Sequence, residues 1–188
     1  MDPQAYTKIA LENFAFQSPG AFYGSATGRS PGVGLIYGGV TFPLFNYETN
    51  LFDTVQGAAY VLTHECDVDQ SNNRHFNDLL VVCPIIPLET FVVAFESEFG
   101  ELRARTLVTS LAKNDVSRVF FLPPPGGDEL SHGALLYLNQ LCSTPVAMFK
   151  DGAAYAICAL STYGLARLDG KLQNHFFRPK EEPLPEVT

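Results

Sequence analysis

Residues 64–67 read His-Glu-Cys-Asp, so an imidazole, a thiol and two carboxylates occupy consecutive positions. Asp69, Asn73, Arg74, His75 and Asp78 follow in the same polar run. Three kinds of role suit such a set. A cysteine acts as a nucleophile when a neighbouring base takes its proton. His64 or His75 can do this for Cys66, with Asp67 or Asp69 orienting the ring. On an extended backbone, positions 64 and 66 project to the same side, which brings thiol and imidazole together. The same side-chain types also ligate zinc: His64, Cys66, Asp67, Asp69 and His75, with Cys83 from a neighbouring strand. Their spacing matches no usual structural-zinc pattern. A calcium-like start at Asp67 lacks Gly at its sixth position and Glu at its twelfth. No metal and no cofactor is therefore expected. In the third reading the segment is structural. Asp67, Asp69, Asn72 and Asn73 then form turns through side-chain to backbone hydrogen bonds, and Cys66 and Cys83 are small buried hydrophobes. Any of the three leaves a dense polar run beside a strand, where a ligand or partner can dock. The candidate catalytic residues are His64, Cys66, Asp67 and His75. The candidate binding residues are Glu65, Asp67, Asp69, Asn73, Arg74 and His75.

Two apolar runs, 58–63 and 79–86, enclose this segment. Both are rich in Val, Ile, Leu and Tyr without clean alternation, the pattern of strands buried on both faces. Their connection is too short for a crossover helix, which makes them antiparallel neighbours. Upstream, residues 3–15 suit a short amphipathic helix, and 17–31 form a Gly/Ser/Pro-rich loop without Walker spacing. Residues 33–40 and 42–47 read as two strands separated by Gly-Gly, Pro43 marking an edge or a bulge. Downstream, Pro87 opens a helix that ends at Gly100, a second helix covers 102–112, and 116–122 is a strand. The block 123–127, Pro-Pro-Pro-Gly-Gly, is the best internal boundary. Asp151-Gly152 between the apolar runs 146–149 and 153–160 signals a hairpin. Ser161 or Thr162 then caps a last helix. Leu62, Val81, Val82, Phe91, Phe95 and Leu168 are the expected core.

The chain has 188 residues, enough for one domain with a real core or two small ones sharing an interface. Its formal charge of −8 disfavours a bulk electrostatic grip on nucleic acid or an anionic membrane. The longest apolar runs fall well short of the roughly twenty residues that span a bilayer. No signal-peptide pattern opens the sequence, and the four cysteines contain no C-x-x-C pair, which fits reduced thiols and a cytoplasmic protein.

The order GLIYGGVTF, AAYVLT, DVDQSNNRHFND, LLVVCPII resembles the PemK/MazF-like toxins over about residues 33–87. The resemblance implies an SH3-like small barrel and ribosome-independent endoribonuclease activity. That family uses an Arg just before the first buried strand and a Thr or Ser just after the second. Here those places read Val55-Gln56-Gly57-Ala58 and Pro84-Ile85-Ile86-Pro87, with neither. The segment 63–67 is also similar to a C-D-[IV] turn in uncharacterised bacterial proteins of mobile-element and defence-associated gene clusters. The expected fold is α+β: a mostly antiparallel, twisted small β-barrel with flanking helices and a C-terminal hairpin plus helix. Its expected parts are an N-terminal helix and loop (1–32), a barrel-like core with two inserted helices (33–122), an extension on the same core (128–178) and a mobile acidic tail (179–188). The expected function is a non-catalytic adaptor that binds a protein partner, with a bacterial multi-component system of the mobile-element or phage-defence type as its setting. The alternatives are a divergent endoribonuclease and a Cys- or metal-dependent hydrolase.

Overall fold

The computed structural model describes residues 2–16, 18–46, 48–68 and 78–177. Helix α1, Pro3–Glu12, starts where the Asp2 carboxylate accepts the Gln4 N–H at 3.0 Å and Pro3 supplies a preset first turn. The strands are β1 (Tyr23–Gly24), β2 (Leu35–Asn46), β3 (Leu51–Val61), β4 (Leu79–Pro87), β5 (Val119–Leu122), β6 (Ala134–Tyr137), β7 (Cys142–Pro145) and β8 (Tyr155–Leu160). The remaining helices are α2 (Glu65–Val68), α3 (Leu88–Phe99), α4 (Glu101–Ala112), α5 (Ala147–Lys150) and α6 (Thr162–Phe176). All strands join one antiparallel eight-stranded sheet in the order β1-β8-β2-β3-β4-β6-β5, with β7 also on β4. The class is α+β.

Period-two alternation sorts the strand residues between two faces. Ile36, Tyr60, Cys83, Phe120 and Leu136 point into one cluster, which Phe22 and Leu168 of α6 complete. Their neighbours point the other way. Phe121 and Leu135 pack on α1, α3 and α4, while Leu35, Ala59, Val61 and Val82 pack with Val146 and Phe149. Burial on both faces explains the near-continuous apolar runs.

The sheet curls but is not closed into a barrel. Its ends meet through side chains: the Tyr23 hydroxyl donates to the Pro123 carbonyl, and Phe22 stacks on Phe120 with centroids 6.0 Å apart. Among the described residues no ladder joins β1 to β5.

The expected antiparallel pair is present as β3 and β4, with Val61 opposite Val82. The helix to Gly100 and the helix after it are present as α3 and α4. Gly100 at φ 81° makes the break between them. Besides the expected barrel, which is not closed, five expectations need correction. The expected loop 17–31 contains a short strand of the sheet, β1. Residues 35–46 form one strand, because Gly38 and Gly39 sit in a bulge rather than a break. The last strand before the proline block begins at Val119, not 116. No hairpin forms around Asp151-Gly152: 147–150 is helical, β7 pairs with β4, and β8 pairs with β2 and β1. Val81 is exposed, because β4 alternates over its first residues before both faces are covered. Val82 and Leu168 are buried, and Leu62, Phe91 and Phe95 are partly buried.

Candidate functional site

The site forms where β3 leaves the sheet. The Leu62 N–H still donates to the Val81 carbonyl at 2.9 Å, as a ladder bond would. One residue later a side chain takes over: Thr63 Oγ1 accepts the Val81 N–H at 2.7 Å. Thr63 thus keeps an edge donor satisfied while its own backbone turns away. The turn closes through the Asp67 N–H, which donates to the His64 carbonyl at 2.9 Å and starts α2.

This turn brings two predicted residues into contact. His64 Nδ1 accepts the Cys66 N–H at 3.3 Å and lies 2.6 Å from Cys66 Sγ. A backbone N–H can only donate, so Nδ1 presents its lone pair and, in the neutral ring, the proton resides on Nε2. The lone pair that faces the amide also faces the thiol. Cys66 is half-buried, and His64, Glu65 and Asp67 are exposed. The meeting arises from a helical first turn rather than from the same-side projection of an extended strand, which corrects the geometry expected from sequence. Asp69, Asn73, Arg74 and His75 lie outside the described residues. Asp78 is exposed at the entrance to β4, and its carbonyl accepts the Val146 N–H at 2.9 Å.

The Gly/Ser/Pro-rich loop forms the other wall. A Cβ at Gly32 would sit 2.6 Å from Glu65 Cβ and 2.9 Å from Glu65 Cα, so only glycine lets the loop approach α2 this closely. The same loop is tied to the end of β3, where the Gly34 N–H donates to the Val61 carbonyl at 3.3 Å. Arg29 braces it by donating to the Val33 carbonyl at 3.1 Å. Sequence reasoning singled out neither Thr63 nor Gly32. A polar β-branched residue closing an apolar strand was the available signal for Thr63; Gly32 had none beyond a glycine-rich loop.

The other thiols are held differently. Burial pushes Cys142 up to about 11. Burial and then the Glu129 charge push Cys158 up to about 12, and burial raises Cys83 further still. Cys83 lies in the core on β4. Among the described residues, no group of three or more His, Cys, Asp or Glu is placed to hold a metal ion. Arg105 is paired with Glu101 at 2.9 Å, and Arg103 and Arg118 are exposed. Among the described residues, no helix is long and apolar enough to cross a membrane. No family model, curated protein or solved structure matches the chain.

Proposed function

We propose that His64 and Cys66 are a base and nucleophile pair, and that the protein is a cysteine-dependent hydrolase of an acyl-type bond. The observation that carries this is the 2.6 Å contact of His64 Nδ1 with Cys66 Sγ, made by the same nitrogen that accepts the Cys66 N–H. On this reading the thiol proton passes to His64 Nδ1 as sulfur attacks the carbonyl carbon. The leaving group takes that proton; Nδ1 then takes a proton from a water whose oxygen attacks the thioester carbon, the C–S bond breaks, and Nδ1 returns the proton to sulfur as the acid leaves. The proposed compartment is the cytoplasm, where thiols stay reduced. The test is p-nitrophenyl acetate mixed with purified protein. A burst of nitrophenolate with acetyl found on Cys66, lost in Cys66→Ser and slowed in His64→Ala, supports the reading. Acetylation that ignores both substitutions contradicts it.

A second reading is an adaptor that binds a protein partner. It is favoured by Leu51 and Phe52, which are 65% and 70% exposed at the end of the β2–β3 hairpin. The curled antiparallel sheet is compatible with a PemK/MazF-like, SH3-like origin. The endoribonuclease activity of that family draws no support from a chain of charge −8.

A further inference from the structure

We infer that the outer edge of β3 at residues 52–56 is a docking site for an extended, basic and apolar segment of a partner protein, which adds to the sheet as a strand. The inference rests on the adaptor reading and names the class of partner. Among the described residues, β4 pairs with 58–61 of β3, whereas 51–56 pair only with β2. The reason is that β4 becomes α3 at Leu88 and leaves the sheet. The β3 edge continues without it.

The orientation of that edge follows from two independent facts. Pro43 stands opposite Thr54 and has no N–H, so this pair fits the ladder without loss only as a non-hydrogen-bonded one. Thr54 then turns its N–H and carbonyl outward, and by alternation so do Phe52 and Gln56. From the other end, the Leu62 N–H bonds Val81 on the β4 side, and alternation carries that side through positions 60, 58, 56, 54 and 52. Phe45 and Phe52, two pairs along, have ring centroids 5.3 Å apart, as the closer non-hydrogen-bonded spacing allows. Proline blunts the opposite edge, on β2. Among the described residues, the β3 edge at 51–56 carries no proline.

Charge identifies the occupant. No Lys or Arg occurs between positions 30 and 73, and the arm formed by the outer half of the β2–β3 hairpin, residues 43–56, carries Glu48 and Asp53. Where the arm leaves the sheet, Gln56 and Gly57 open onto a cleft of about 570 Å³ that is also lined by Glu89, Asp128 and Glu129. Glu89 also meets His132 at 3.4 Å, and Glu129 hydrogen-bonds Tyr155. A strand lying along residues 52–56 would direct one end into these carboxylates, so Lys or Arg suits that end. Leu51 and Phe52 favour apolar side chains along the rest. A second copy of this acidic arm would be repelled.

The test uses fluorescence anisotropy with labelled peptides that alternate valine with lysine, valine with glutamate, or glycine with lysine. The valine–lysine peptide should bind and the other two should not. Thr54→Pro removes one outward N–H and should weaken binding about tenfold, while Thr54→Val should not. If Thr54→Pro does not fold, a valine–lysine peptide N-methylated at alternate residues makes the same test on the unaltered protein. Equal binding of the methylated peptide, equal binding of the glycine–lysine peptide, or no binding of any peptide overturns the inference. Binding lost in Phe52→Ser but indifferent to N-methylation overturns strand addition and leaves the adaptor reading standing.

Discussion

Gly32 and Glu65 come from segments far apart in sequence, yet a Cβ on the first would lie 2.6 Å from the Cβ of the second. That approach holds the loop against the first turn of α2, next to His64 and Cys66. Gly32→Ala must displace either the loop or the first turn of α2, because the atoms in the way include the Glu65 Cα and backbone nitrogen. The cost expected for overpacking is about 1–3 kcal/mol. Thiol reactivity at Cys66 should fall with it. Urea unfolding together with thiol labelling checks both, and a variant with wild-type stability and labelling would show that the loop does not position the turn.

Thr63 acts on the sheet side. Thr63→Val keeps the shape and leaves the Val81 N–H without its 2.7 Å acceptor. Because the site is exposed, water partly replaces the lost bond, and a loss of about 0.5–1.5 kcal/mol is expected. Thr63→Ser restores the acceptor and should recover most of it. Amide exchange at Val81 reads the bond directly: faster exchange in Thr63→Val but not in Thr63→Ser is the expected pattern.

Gly164 sets two effects against each other. Alanine in α6 would gain about 1 kcal/mol of helix propensity. The added Cβ would, however, collide with the Phe22 carbonyl, a backbone atom held by the Ser161 N–H at 3.0 Å. Overpacking at about 1–3 kcal/mol outweighs the propensity gain. Gly164→Ala should therefore lower the urea midpoint, whereas Gly170→Ala, with open space around it, should raise it.

Stability should fall in alkali. Cys142 is raised to about 11 and Cys158 to about 12, chiefly by burial, while an unfolded thiol titrates near about 8.5. Between those values the unfolded chain has released protons that the folded chain retains, so rising pH favours unfolding. The contribution is complete below about pH 8.5 and is lost as pH climbs toward the folded values. Urea midpoints at about pH 7 and about pH 10 test the sign. A midpoint that holds or rises would contradict it. Cys158→Ala should reduce the difference.

Local signals carried much of the fold. Gly100 closes α3, and the Ser161 hydroxyl accepts the Gly164 N–H at 3.1 Å to cap α6. The short polar connection made β3 and β4 antiparallel neighbours. Where local and distant pairing compete, the sequence misleads. Asp151-Gly152 turns the chain, with Gly152 at φ 74°, but a turn fixes a reversal and not a partner. Pairing with β4 on one side and β2 on the other decides the outcome. The contact of His64 with Cys66 could be anticipated from residue types, although a helical turn produces it rather than an extended strand. The part played by Gly32 depends on a tertiary approach that no local pattern encodes.

The proposed chemistry needs Cys66 to be a nucleophile served by His64. It is tested most directly by the iodoacetamide alkylation rate of each cysteine, followed by peptide mass spectrometry in folded wild type and His64→Ala. Cys66 should react well before Cys83, Cys142 and Cys158, and His64→Ala should slow Cys66 by about tenfold or more at neutral pH, since a thiol without a nearby base is a weak nucleophile. A Cys66 rate unchanged by His64→Ala, in a variant with wild-type stability, would contradict it.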